Sequence, residues 1–249
     1  MKIKTKVMRG SVIVQSHIQT LRDVLIFSKY ETSQIEFDLM KYDFRIVKKN
    51  PDFILCYGGD GTILLCERKF PQIPKLIIKK SVKCRKCDYA PNQIDEVLSK
   101  IREREYKIQT EIKLETEIDD NKIVGLNEIQ IRAKLPIYAL RFSTSIDGET
   151  FENLIGDGLI VATPFGSTGY YKSTGGDQFL KGIGVSFNNL HNRRIKSMVV
   201  SENSIIKTEI DRGPALVISD NYEQFFELKD NETSIIKKSD NLAKFIYIP

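Results

Sequence analysis

Apolar positions in the first hundred residues follow two different periods. Ser11-Val12-Ile13-Val14 predicts a first strand. Ile18, Leu21 and Leu25 recur at helical spacing, with Val24 and Phe27 beside them, and predict a helix through Tyr30. Ile35, Phe37 and Leu39 alternate with Glu36 and Asp38, which predicts a second strand. Phe53-Ile54-Leu55 and Leu76-Ile77-Ile78 are short apolar runs of the kind that buried parallel strands present. Asn92 reads as the cap of a helix whose Ile94, Val97, Leu98 and Ile101 fall on one face. Strands alternating with helices predict an α/β layer with parallel strands over residues 1–104.

Past residue 104 the period becomes two. Ile108, Ile112, Leu114 and Ile118 share one face, while lysines, glutamates and a glutamine fill the other, so Tyr106 to Ile118 predicts one long antiparallel strand. Asp119 to Lys122 is its turn, and Asp147-Gly148 is a hairpin dipeptide. Further strands are expected at 123–132, 137–146, 158–163, 198–200, 204–210, 215–219 and 225–228. The fold class is therefore α/β plus all-β, with a multi-stranded antiparallel domain over residues 105–234. The segment 235–249 ends in the apolar run Leu242–Ile248, which leaves a return to the α/β half open.

Composition adds limits. Among 249 residues, 41% are hydrophobic and 29% charged, a globular balance. No apolar run approaches the ~18 residues of a membrane span, and no signal-peptide core follows the basic start, so a cytoplasmic protein without a membrane partner is expected. The net charge of +5 is mild and suits an anionic substrate as well as nucleic acid. Its one dense basic cluster, Lys79 to Cys87, has no interleaved aromatics, so a nucleic-acid partner is not expected. Cys84-x-x-Cys87 has motif spacing but no second pair of that spacing, which leaves a zinc site, a redox pair and ordinary thiols as readings. Cys56 and Cys66 flank the glycine turn described next.

Gly58-Gly59-Asp60-Gly61-Thr62 lies where the strand of Phe53–Leu55 ends and a helix through Lys69 can begin. Glycines there tolerate positive φ and let backbone N–H groups approach a ligand. A helix start favours phosphate. Asp60 is the one carboxylate of this cradle and would repel phosphate. It reads as a helix cap, as a base for an attacking hydroxyl, or as a magnesium ligand. The second rich stretch is Asp157 to Gly176, an apolar strand running into a loop of glycines and hydroxyls, with Ser167, Thr168 and Ser173 as donors and acceptors. It suits a polar small-molecule site or a decorated hairpin.

The turn Gly58-Gly59-Asp60-Gly61-Thr62 resembles the signature shared by NAD kinases, diacylglycerol and sphingosine kinases and, in variant form, phosphofructokinases. The Asp157-Gly158…Thr163-Pro164-Phe165-Gly166-Ser167-Thr168-Gly169-Tyr170…Gly175-Gly176 block resembles NAD kinases alone, as does Gly125-Leu126-Asn127-Glu128-Ile129 between the two. Three blocks in order identify the chain as similar to the NAD kinase family. The resemblance implies phosphorylation of the adenosine-ribose 2′-hydroxyl of NAD by ATP or polyphosphate, with Mg2+ accompanying the donor, in a homodimer or homotetramer. It implies Asp60 as base and Gly58, Gly59, Gly61 and Thr62 as the phosphate turn. Asn127 and Glu128 would hydrogen-bond the dinucleotide, and Thr168, Gly169 and Ser173 would lie by the adenine. Tyr170 would border the nucleotide, and Asp157 would lie near a ribose or the nicotinamide end.

The chain departs from the family after Ile78, where a Gly-rich loop is replaced by Lys79-Lys80-Ser81-Val82-Lys83-Cys84-Arg85-Lys86-Cys87. Lys79, Lys80 and Lys83 are candidates for donor phosphates, against a solvated loop. Phe165 replaces the usual Thr and Gly169 the usual Ala. Alternative functions are a lipid kinase with the same glycine turn, or a nucleotide-binding regulator without turnover.

Overall fold

The computed structural model describes residues 12–14, 20–80, 84, 86–191 and 194–249. The chain forms two compact units. One comprises Val12–Thr110 with Asn241–Pro249, the other Glu111–Asp240.

The first unit is built on a seven-stranded sheet. Its order is Val12–Val14, Lys107–Glu111, Ala243–Tyr247, Lys75–Lys79, Phe53–Gly58, Asp23–Ser28, Arg45–Ile46. The five strands from Ala243–Tyr247 to the Arg45–Ile46 edge run parallel, and Val12–Val14 pairs antiparallel with Lys107–Glu111. Phe53–Gly58 is buried along its whole length, as a parallel strand covered on both faces must be. The C-terminal run thus returns to this sheet, with Phe245, Ile246 and Ile248 buried.

Two expectations exchange places here. Asp23–Ser28 is a strand, and Ser33–Lys41 is a helix. Val24 to Phe27 is a continuous apolar run, and periodicity cannot tell such a run from a helix segment. Its partners on either side, Phe53–Gly58 and Arg45–Ile46, decide for the strand. In the helix, Ile35 and Leu39 form the buried pair at i, i+4, while Phe37 is 61% exposed. Its N-cap is Thr32, whose hydroxyl donates to Glu36 Oε1 at 2.6 Å. The helix Ile94–Arg102 buries the four predicted residues, but Gln93 rather than Asn92 is its cap. A 3-10 turn, Pro91–Gln93, precedes it, and the Gln93 side chain accepts the Ala90 N–H at 2.9 Å.

The second unit holds two six-stranded sheets, and both line one apolar core. The expected long strand over 106–118 is two strands. Lys107–Glu111 belongs to the seven-stranded sheet and Leu114–Ile118 to a sheet of the second unit. Alternation alone carries no information on which sheet a strand joins, and the break at Ile112-Lys113 keeps the two-residue phase. The strand expected over 123–132 is also two, Asn121–Gly125 and Glu128–Ala133, parted at Leu126-Asn127. Both predicted turns are two-residue hairpin loops. Asp119 and Asp120 have φ of 48° and 60°, and Asp147 and Gly148 have 50° and 93°. Positive φ at both central residues gives the type I′ geometry that matches strand twist.

Candidate functional site

In the first unit the strand Phe53–Gly58 runs directly into the helix Asp60–Lys69, with Gly59 as its cap. Asp60 is the first helical residue. None of the three turn glycines has positive φ, so conformation is not what demands glycine there. Close approach is the reason at Gly58, where a Cβ would stand 2.3 Å from Thr62 Oγ1. That hydroxyl takes the Gly59 N–H at 3.4 Å.

The segment after Ile78 folds over this turn. Lys80 N–H donates to Gly58 O at 2.9 Å. Lys86 N–H donates to Asp60 Oδ1 at 3.0 Å. Cys84 Sγ stands 3.1 Å from the same oxygen, and Cys87 Sγ 3.6 Å from Gly58 O. Cys84 and Cys87 are joined as a disulfide with Cα atoms 5.6 Å apart. Of the lysines named for donor phosphates, Lys80 lies over the rings of Tyr30 and Tyr57 at 5.9 and 5.7 Å. Lys79 ends the strand Lys75–Lys79, half-buried, and Lys83 lies outside the described residues. Cys56 and Cys66 are buried free thiols, and a hydrogen bond to Cys66 together with burial pushes the Cys56 thiol well up. Neither is poised for chemistry.

In the second unit Asp220 organises the Asn-Glu block. Its carboxylate accepts the N–H groups of Leu126, Asn127 and Glu128 at 2.9, 2.7 and 3.2 Å. Thr163 ties the same loop to the Gly-rich stretch. Its hydroxyl donates to Leu126 O at 2.6 Å and accepts the Gly166 N–H at 3.0 Å. Gly166 is forced to be glycine, since a Cβ would lie 2.0 Å from Asn127 O. A Cβ on Gly169 would be 3.3 Å from Glu128 Oε2. Asn127, Glu128, Gly166 and Gly169 are therefore one cluster, and Thr168 lies within that loop. Glu128 is 2% exposed. Asn127 Oδ1 is buried and has no hydrogen-bond partner among the described residues. Leaving such an atom unsatisfied costs about 1–3 kcal/mol, which a ligand donor would recover.

Of the other predicted residues of this unit, Tyr170 follows Gly169 directly and the Ser173 N–H donates to Gly169 O at 3.3 Å. Tyr170 and Ser173 begin and end the short helix Tyr170–Ser173. Tyr170 is 55% exposed, and the Ser173 hydroxyl is turned back onto Tyr170 O at 2.7 Å. Asp157 stands at the opposite end of the strand Gly158–Ala162 from Thr163, and accepts from Asn189 Nδ2 at 2.7 Å. Sequence reasoning missed Asp220, which lies 93 residues from the loop it holds and has no motif of its own.

A family model for the ATP-NAD kinase C-terminal domain matches residues 126–248. An NAD kinase of Methanosphaera stadtmanae is 35% identical over 53% of this chain, and the match spans only 48% of that relative's length. An NAD kinase of Methanothermobacter thermautotrophicus is 30% identical over 84% of this chain and 76% of its own length. The crystal structure of an NAD kinase from Archaeoglobus fulgidus in complex with ATP superposes with a TM-score of 0.77 over 92% of this chain and 93% of that one, at 23% identity, which shows a shared fold. With three signature blocks in order and a relative matched over most of its length, this chain belongs to the NAD kinase family.

Proposed function

We propose that this chain is an NAD kinase that transfers a phosphoryl group from ATP or polyphosphate to the adenosine-ribose 2′-hydroxyl of NAD. One observation carries the reading: the Asn127–Glu128 loop, fixed by Asp220 and Thr163 against Gly166, holds a buried amide oxygen without a partner among the described residues. Such an atom suits a ligand hydroxyl as donor. Within the first unit, Asp60 supports the reading as a carboxylate at a helix start that also favours phosphate.

Phosphoryl transfer has a loose transition state, so positioning and charge stabilisation carry most of the acceleration. Asp60 takes the proton of the attacking 2′-hydroxyl, a step worth about 10²–10⁴-fold. Asn127 and Glu128 hold the dinucleotide, and Thr168 and Gly169 border the adenine. Mg2+ takes oxygen ligands, usually one or two carboxylates with phosphates and water. When bound it neutralises charge on the donor phosphates, and Asp60 is the carboxylate of the turn. Bound ATP in the A. fulgidus enzyme favours ATP as donor. Exposed Tyr170 is the residue a second copy would bring to the nucleotide, as the family's homo-oligomers imply, and Asp157 lies near a ribose or the nicotinamide end. No helix of the described residues is long and apolar enough to cross a membrane.

Incubation with NAD, Mg2+ and either donor tests the reading. NADP should form with at least one of them. Binding of NAD without NADP from either donor would favour the regulator instead.

A further inference from the structure

Asp60, Cys84 and Cys87 each offer one ligand atom, and these atoms all lie within 4.8 Å of one another. The sequence hides this set, because the carboxylate is 24 residues from the first cysteine. We propose that, with the disulfide reduced, these three residues form a binding site for a soft divalent cation of the zinc class.

The donor set suits such an ion. Zinc takes thiolate sulfur at about 2.3 Å and carboxylate oxygen at about 2.0–2.2 Å, and three protein ligands with one open position is a common arrangement. Those bond lengths put tetrahedral sulfur–oxygen edges near ~3.5 Å and sulfur–sulfur edges near ~3.8 Å. Cys84 Sγ and Asp60 Oδ1 already stand 3.1 Å apart. The cysteine Cα atoms are 5.6 Å apart, so side-chain rotation suffices to part the sulfurs. Magnesium does not fit this set, since it is a hard ion that selects oxygen. The surroundings favour a ligand set of net charge −3. Asp60 opens its helix, so the positive helix end faces the anionic ligands. The Lys86 N–H also points at Asp60 Oδ1.

The chemistry has two steps. A dithiol reductant gives up two electrons and two protons to the Cys84–Cys87 bond and itself closes to a disulfide, leaving two thiols. The cation then displaces one proton from each thiol and binds both thiolates and the Asp60 carboxylate. Disulfide and cation are mutually exclusive, so the oxidised protein is its own control.

The test uses Co2+ as the probe on the whole protein, with metal removed and oxygen excluded. The reduced chain should take up one Co2+ and show thiolate-to-cobalt charge-transfer absorption in the near ultraviolet. The oxidised chain should show none. Cys84→Ser/Cys87→Ser should abolish the band even in reductant, although Cys56 and Cys66 remain. Asp60→Asn should keep a band but weaken Co2+ binding at least tenfold. No band from the reduced chain, a band in the oxidised chain or the double variant, or unchanged affinity in Asp60→Asn would each overturn the site. The readout is independent of kinase turnover, so its failure leaves the NAD kinase reading standing, and the reverse holds too.

Discussion

Asp60 combines two roles that a single substitution can separate. As first residue of the helix Asp60–Lys69 it serves the backbone, and as a carboxylate it serves the hydroxyl of the substrate. Asn keeps the shape and cannot take the proton. Asp60→Asn should therefore unfold at close to the parent temperature and bind NAD with similar affinity. Its kcat should fall by about 10²–10⁴-fold, or roughly 3–5 kcal/mol of barrier. Turnover within a few-fold of the parent would remove Asp60 from the mechanism. Gly166 makes the complementary case, where the constraint is space. A methyl group there meets Asn127 O at 2.0 Å, and a backbone oxygen cannot swing aside. Gly166→Ala should push the two loops apart, raise the KM for NAD at least tenfold and leave the KM for the donor little changed. Gly148→Ala should leave NAD kinetics unaltered, since its Cβ meets nothing within 4 Å. It serves as a control for stability alone, through its φ of 93°.

Helix Asp60–Lys69 is tied to the strand Lys75–Lys79 by an ion pair of Glu67 with Lys75, whose side chains are 4% and 0% exposed. Burying two charges is costly, and removing one partner takes away the charge that the other is buried against. Lys75→Met should lower the unfolding free energy by about 3–5 kcal/mol, measured by denaturant titration. Glu67→Met/Lys75→Met should recover most of that loss, because an apolar pair carries no stranded charge. A double variant as unstable as the single would mean that the pair is net stabilising. This contact also shows what a sequence reveals about elements. Gly58–Thr62 was legible as a strand-to-helix turn because glycines sit between an apolar run and a helix former. The helix at 94–101 was legible because four apolar residues share a face. The stretches 23–28 and 33–41 were not, because short apolar runs take their state from the neighbours that cover them. In the candidate site, Asn127 and Gly166 could be read from blocks of sequence. Asp220 and the contact of Cys84 with Asp60 could not, because long-range pairing leaves no local pattern.

Over the whole chain, the first unit is completed by residues that come last. Strand Ala243–Tyr247 lies between Lys107–Glu111 and Lys75–Lys79, in the interior of the seven-stranded sheet. Without it, the two strands on one side lose their connection to the four on the other. Ile246 and Ile248, 1% and 6% exposed, belong to the core that also holds Leu76, Ile78 and Tyr89. The Ile248 N–H donates to the Tyr89 hydroxyl at 2.6 Å. Fully burying each large aliphatic side chain contributes about 1.5–3 kcal/mol, and two of them with Phe245 approach the ~5–15 kcal/mol by which whole proteins are stable. The strand is far in sequence from its sheet neighbours, which makes folding of the first unit depend on residues 243–247. Truncation after Asp240 should therefore abolish cooperative unfolding of residues 20–110 while residues 111–240 keep their protected amides. Hydrogen exchange resolved by peptide measures both regions in one sample. Slow exchange in 53–58 and 75–79 of the truncated chain would show that the sheet stands without its inner strand.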